Sequence, residues 1–266
     1  MAKLTTTFYR NKIIESLHNI KCAIISSNGE KIFTTNNEED YIYPRSSIKI
    51  FQAIPFVYSN SIKSYKLNQK QIALSCSSHC AEYFHIRELE NWINKLNLKT
   101  YNLKCGIHHP LDKISSQKLL ISGNNPNQIH NNCAGKHLAM LSSCKINSYN
   151  ISDYVNVNHP HQKQIRKVFS EFAENKIFKF QYGVDGCSAP QYAFKIKELL
   201  NSLKNILKSL NGNFYYKNEV STLIHAITKY PYYIGGSKNL DSNLIRITKG
   251  DIFCKGGAEG VFLFSH

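Results

Sequence analysis

From about residue 46 to residue 214 the apolar residues of this chain recur at helical spacing, whereas the segments on either side read mainly as strands. That partition limits the available folds more than any other feature. Ile196, Leu199, Leu200, Leu203, Ile206, Leu207 and Leu210 make the clearest stripe; Ile86, Leu89, Ile93 and Leu96, and then Ile165, Val168, Phe169 and Phe172, make two more. Pro44 suits a helix start, and Ile48, Ile50, Phe51, Ile54 and Val57 behind it predict a buried helix. Ahead of it, residues 20–25 and 31–34 flank Ser27-Asn28-Gly29-Glu30, which predicts a hairpin with both Asn28 and Gly29 at positive φ. Strand character returns at residues 244–247, 251–254 and 260–264. No repeat or low-complexity linker divides the chain. The expectation is one α+β domain over 1–266, with an antiparallel sheet from about 1–45 and 215–266 packed against a mainly helical region from about 46–214.

With 266 residues, 42% of them hydrophobic, the chain can bury a large core and excludes disorder and collagen. The net charge of +15 raises nucleic-acid binding, but 28 Lys stand against 5 Arg, without a run of five lysines, and Arg is the residue that phosphate and base recognition favours. Lys, Asn and Ile supply 86 residues, all with A/T-rich codons, so base bias explains the charge at least as well as a partner does. The longest apolar stretch, residues 51–58, is far short of the roughly 20 needed to span a bilayer, and the opening residues lack the apolar core of a leader. A soluble cytoplasmic protein is expected, with its eight cysteines mostly thiols.

Four clusters carry reactive side chains. Arg45-Ser46-Ser47-Ile48-Lys49 contains Ser-x-x-Lys, and positions i and i+3 share a helix face, so Ser46 and Lys49 can meet. A serine hydroxyl needs such a base, and a lysine becomes one when burial or another cation lowers its pKa. The competing reading is a helix N-terminus with a solvated lysine. Asn131-Asn132-Cys133-Ala134-Gly135-Lys136-His137, with Asp185-Gly186-Cys187 about fifty residues on, suggests Cys133, His137 and Cys187 around zinc with one open position; buried unliganded cysteines beside a core histidine fit equally well. Ser77-Ser78-His79-Cys80-Ala81-Glu82 offers a hydroxyl and a base without the Gly-x-Ser-x-Gly elbow of a hydrolase. Lys255-Gly256-Gly257-Ala258-Glu259-Gly260 suits close backbone approach to a ligand, without the spacing of a phosphate loop.

Together with Arg10, Glu15 to His18, Cys105-Gly106 and His159-Pro160-His161-Gln162, these clusters in this order resemble the class 3 L-asparaginases, also called asparaginase II or thermolabile asparaginase. The resemblance spans nearly the whole chain. It implies a fold like that of serine β-lactamases and penicillin-binding proteins, usually in a homodimer, and hydrolysis of L-asparagine to L-aspartate and ammonia. It implies Ser46 as nucleophile with Lys49 as base, and Ser78 with Lys255 as a second Ser-Lys pair, two crowded lysines depressing each other's pKa. It implies one zinc ion held by Cys133, Lys136 and Cys187, so that Lys136 takes the place given above to His137, which lines the substrate pocket instead. Asp185 is expected to meet the substrate ammonium, and Arg45 the substrate carboxylate.

Some positions depart from the family. Cys80 stands where a small residue such as serine is usual, Ala134 replaces a common serine, and Ser188-Ala189 replaces Gly-Val. Family members continue past Gly-Ala-Glu-Gly with a further strand and helix, whereas this chain stops at His266, so an inactive relict or a zinc-binding non-enzyme is the alternative expectation. A penicillin-recognising enzyme shares the fold, but Ser77-Ser78-His79 lacks the Ser-x-Asn such enzymes use.

Overall fold

A computed structural model describes residues 4–177 and 181–266; residues 1–3 of the opening segment discussed above lie outside it. Strands β1 (Leu4–Arg10) and β2 (Ile13–Ile20) form one hairpin, β3 (Ala23–Ile25) and β4 (Lys31–Thr34) a second. After β5 (Tyr41–Ile42), a 3₁₀ turn over Arg45–Ile48 runs into α1 (Lys49–Tyr58). Helices α2 (Ser61–Ser64), α3 (Gln69–Leu74), α4 (Tyr83–Lys95), α5 (Lys113–Ile121), α6 (Ala134–Ile146) and α7 (Pro160–Phe172) follow. Strands β6 (Tyr182–Val184), β7 (Pro190–Tyr192) and β8 (Phe194–Lys195) lead to α8 (Ile196–Leu210), α9 (Lys217–Lys229), α10 (Tyr232–Gly235) and α11 (Leu240–Ile247). The last strands are β9 (Phe253–Gly256) and β10 (Phe262–Ser265).

The core is built around α1. Every residue from Lys49 to Phe56 is buried, as befits a helix that is apolar nearly all round, and α6, α7 and α9 pack against it. Phe51 meets Phe172 of α7 at 5.1 Å between ring centroids, and Phe56 meets Trp92 of α4 at 5.5 Å. The Trp92 indole N–H is satisfied by Ser142 Oγ of α6 at 3.1 Å. The stripes expected on α4, α7 and α8 face this core, with Leu89, Ile93, Ile165, Phe169, Leu199 and Ile206 all buried.

The strands differ from expectation. They pair as five separate two-stranded antiparallel ladders, and among the described residues none joins a strand of the first 45 residues to one near the end. The edges are short: β3 has three residues and a register shift between Ile24 and Ile25, and β9 and β10 have four each. What the two ends share is a helix, because β3 and β10 both pack on α8. The predicted β3–β4 hairpin is present with a wider turn. Glu30 N–H donates to Ser26 Oγ and Asn28 Oδ1 at 3.0 and 3.2 Å, so only Gly29 needs positive φ, at +93°.

Residues 244–247, expected as a strand, belong to α11. Asn239 Oδ1 accepts the Asp241 N–H at 2.9 Å and caps the helix start, and a four-residue segment with three apolar side chains carries too little period to tell the two structures apart. No helix among the described residues is long and apolar enough to cross a membrane.

Candidate active site

Lys49 is the first residue of α1 and is 1% exposed. Its amine donates to Ser78 Oγ at 2.9 Å and to the Ser77 carbonyl at 2.5 Å. Both acceptors are held from behind: Ser77 Oγ donates to the Leu74 carbonyl, and Ser78 N–H donates to the Ile234 carbonyl, each at 2.8 Å. Burial is the largest influence on the amine and favours its uncharged form. The sulfur atoms of Cys133 and Cys187 oppose this while the ammonium groups of Lys136 and Lys255 reinforce it, and the net shift is downward from the ordinary lysine value.

Ser46 lies half-buried in the preceding 3₁₀ turn, and its carbonyl accepts the Lys49 backbone N–H. No hydrogen bond joins its hydroxyl to Lys49 Nζ among the described residues, so the Ser-Lys contact that forms is Lys49 with Ser78. Lys255, on β9, was expected beside Ser78; it instead donates to Asp241 Oδ2 at 2.7 Å and to the Gly256 carbonyl at 3.1 Å. Lys255 nevertheless belongs to the same region. Strand β9 packs on the Arg45–Ile48 turn, and a Cβ at Gly257 would sit 2.4 Å from the Pro44 carbonyl. Only glycine permits that approach.

Arg45 sits at φ +54° where the chain turns from Pro44 into the 3₁₀ turn, a costly conformation for a residue with a Cβ. Its guanidinium pairs with Asp185 Oδ1, through Nη2 at 2.9 Å and Nε at 3.1 Å. Burial works against the Asp185 carboxylate, but Lys136, the Gly186 N–H and Arg45 outweigh it and hold this group below the usual carboxylate range. The two residues expected to take the charged ends of an amino acid therefore face each other.

Cys133 precedes α6, Lys136 and His137 occupy its first turn, and Cys187 comes from the β6–β7 connection. Lys136 Nζ lies 3.1 Å from Cys187 Sγ, and Cys187 in turn shares a hydrogen bond with Cys133. That bond, with help from Lys136, lowers the Cys187 thiol to about 5, whereas the same bond and burial push Cys133 up to about 12. Lys136 is moved the other way from Lys49: burial would neutralise it, but the two sulfur atoms prevail and keep it charged. Two sulfur donors and one amine gathered in a buried corner fit a borderline-soft divalent ion, provided that Lys136 and Cys133 give up their protons.

His137 Nδ1 and the Tyr154 hydroxyl are 2.7 Å apart, and that hydroxyl accepts the Lys104 N–H at 2.8 Å. The phenol then donates to Nδ1, which leaves the proton of the ring on Nε2. This N–H is buried and without a partner among the described residues. Burial, and then Lys136, lower His137 to about 3, so the ring is neutral at ordinary pH. A second group of metal-type ligands, Cys80, Glu82 and His85, lies outside this pocket. Its atoms are already engaged, with the Cys80 thiol on Glu82 Oε1 at 3.1 Å and the His85 ring between the Glu82 N–H and the Tyr232 carbonyl.

Asp241 and Tyr154 were not among the residues singled out from sequence. Asp241 stands there just ahead of a segment read as a strand, and Tyr154 is one of 16 tyrosines. Comparison with known proteins gives one finding: a protein-family model described as L-asparaginase II matches residues 6–266. No curated protein matches the chain.

Proposed function

The chain belongs to the L-asparaginase II family, and from that premise we propose that it is an amidohydrolase converting L-asparagine to L-aspartate and ammonia. The observation that carries this reading is the Lys49 amine, buried, biased toward its uncharged form and 2.9 Å from a serine hydroxyl. An uncharged amine beside an alcohol is what a nucleophilic serine needs. In the proposed cycle Ser46 Oγ attacks the side-chain amide carbon while its proton passes to Lys49, with Ser78 as relay. Lys49 returns the proton to the departing nitrogen, ammonia leaves, and an ester of the β-carboxyl remains on the serine. Water then attacks the ester, Lys49 again taking and returning the proton, and aspartate is released.

The 2.9 Å bond also favours a second reading in which Ser78 is the attacking atom and Ser46 assists. Intact-mass trapping of the acyl-enzyme separates the two, since only the true nucleophile carries the adduct. Arg45 and Asp185 would open their mutual pair to receive the carboxylate and ammonium of the substrate. A zwitterionic amino acid replaces both counter-charges at once, which explains why two opposite charges wait together in a half-buried cleft. The free Nε2–H of His137 is the donor for a substrate oxygen.

Cys133, Lys136 and Cys187 would hold one zinc ion; when bound it would supply Lewis-acid polarisation at the edge of this pocket. The convergence of β3 and β10 on α8 supports reading the fold as serine β-lactamase-like, and eight free cysteines support a cytoplasmic setting. We assign the β1–β2 hairpin as the contact between two copies in a homodimer, because its apolar side chains are exposed. The decisive assay is ammonia release from L-asparagine. Ser46→Ala and Lys49→Ala should each lower kcat by about a thousandfold or more. Full activity in both variants removes the mechanism.

A further inference from the structure

We propose that Asp241 is a positioning residue that fixes the positive charge on Lys255 and thereby assigns the uncharged amine of the pocket to Lys49; this rests on the amidohydrolase reading above. Two buried lysines in one region pose a problem of charge allocation. Either amine can be the uncharged one, and only one choice leaves a base beside Ser78. The structure distinguishes them by their partners. Lys255 Nζ is 2.7 Å from a carboxylate oxygen that also accepts the Gly256 N–H at 3.0 Å. Asp241 and Lys255 are each 3% exposed, so this ion pair is not screened by water. Lys49, by contrast, has only neutral acceptors: a hydroxyl and a backbone carbonyl.

The other charged and titratable groups around the two amines do not reverse that difference. Lys255 faces Asp241 from α11, Lys49 from α1 and the Cys76 thiol, with Cys254 beside it on its own strand; across the ladder β10 offers Leu263. Both thiols are pushed up to about 12, chiefly by burial, and carry no charge at ordinary pH. Arg45, on the turn that β9 packs against, is committed to Asp185. Around Lys49 stand Cys76, Cys133, Cys187, Lys136 and Lys255, together with His79; the anion among them, the Cys187 thiol lowered to about 5, is bonded by the Lys136 amine at 3.1 Å and not by Lys49. Asp241 is thus the carboxylate that bonds either catalytic lysine, and it bonds Lys255. Its own position is set by the Asn239 cap at the start of α11.

The test uses the full chain labelled with carbon-13 at the lysine ε-positions, together with kinetics of Asp241→Asn and Asp241→Glu. In the unsubstituted protein near neutral pH the Lys49 signal should report an uncharged amine and the Lys255 signal a charged one. In Asp241→Asn the two should exchange. Ammonia release should fall about 100-fold in kcat near neutral pH, with KM within about twofold, and should recover as the pH is raised and Lys49 loses its proton. Asp241→Glu should restore both the charge order and the pH profile. A staple between α11 and β9 with no other role predicts a uniform loss at every pH and no exchange of signals, and that result overturns the proposal.

Should Asp241→Asn fail to fold because it strands a buried ammonium, the double variant Asp241→Asn/Lys255→Met removes both charges. Lys49 should then be charged near neutral pH, and a Lys49 that stays uncharged there also overturns the proposal. An exchange of signals in a protein that releases no ammonia would refute the amidohydrolase reading and leave the charge assignment standing.

Discussion

Gly135 has no side chain because there is no room for one. A Cβ there would lie 2.1 Å from the Leu74 carbonyl oxygen and 2.8 Å from its carbon, and both are backbone atoms that cannot swing aside. That contact brings the start of α6, with Cys133, Lys136 and His137, against the end of α3, from which Ser77 and Ser78 reach Lys49. Gly135→Ala should therefore cost about 1–3 kcal/mol of stability and also lower activity by separating the two halves of the pocket. Urea denaturation and ammonia release measured on the same preparation check it; a variant as stable and active as the parent would show that the helices can part freely. At this scale the sequence offers candidate residues by type and order, but not their bonds. Ser-x-x-Lys points to Ser46 with Lys49, and the bond that forms runs to Ser78, because the choice among hydroxyls depends on where the chain returns 29 residues on. Asp241 had no local signal at all, since an acid in the first turn of a helix is ordinary and its buried lysine partner lies 14 residues on.

Among the elements, those with long periodic stripes were legible and the short ones were not. The stripes on α4, α7 and α8 extend for three or more turns, so a single burial preference repeats often enough to show. The four residues before Thr248, three of them apolar, do not, and the Asn239 cap decided for helix. The β1–β2 hairpin shows a different limit. Its apolar residues lie on both faces, with Tyr9 opposite Ile14 and Arg10 opposite Ile13, so no alternation marks it. Ile13 is 76% exposed and Leu17 62%, and among the described residues the ladder has no third strand. An isolated two-stranded ribbon is marginal in water, which is the physical reason to expect a second copy against it. If the proposed homodimer forms through this hairpin, Ile13→Lys with Leu17→Lys should convert it to a monomer in light scattering behind gel filtration, with the secondary structure unchanged by circular dichroism. A dimer that survives the pair of charges places the interface elsewhere.

For the molecule as a whole, the buried histidines set how it responds to acid. Burial lowers His79 well below its ordinary value of 6.5, His85 to about 4, and His137 and His161 to about 3. All four belong to the interior around the α1 core and its pocket. An unfolded chain would take up a proton on each near pH 6.5, while the folded chain takes none until the pH is much lower. The unfolded state thus binds more protons across this window, and stability falls as pH falls, by up to about 1.4 kcal/mol per pH unit for each histidine. Above about pH 6.5 neither state is protonated at these sites and their contribution is flat. The lowered carboxyl of Asp185 acts in the same direction but further down the scale, as the pH falls toward the folded value of that group. The prediction is a steep loss of stability between about pH 6.5 and 4, with the four histidines contributing a proton uptake on unfolding that approaches four, beside that of the lowered Cys187 thiol. Denaturant titrations at a series of pH values give that number from the slope. His161 supplies the sharpest check, because the ring is buried and the residue lies on α7, outside the pocket. His161→Leu should reduce the uptake by about one proton while leaving the pH profile of ammonia release in place, and an unchanged slope would mean that the acid response has another source.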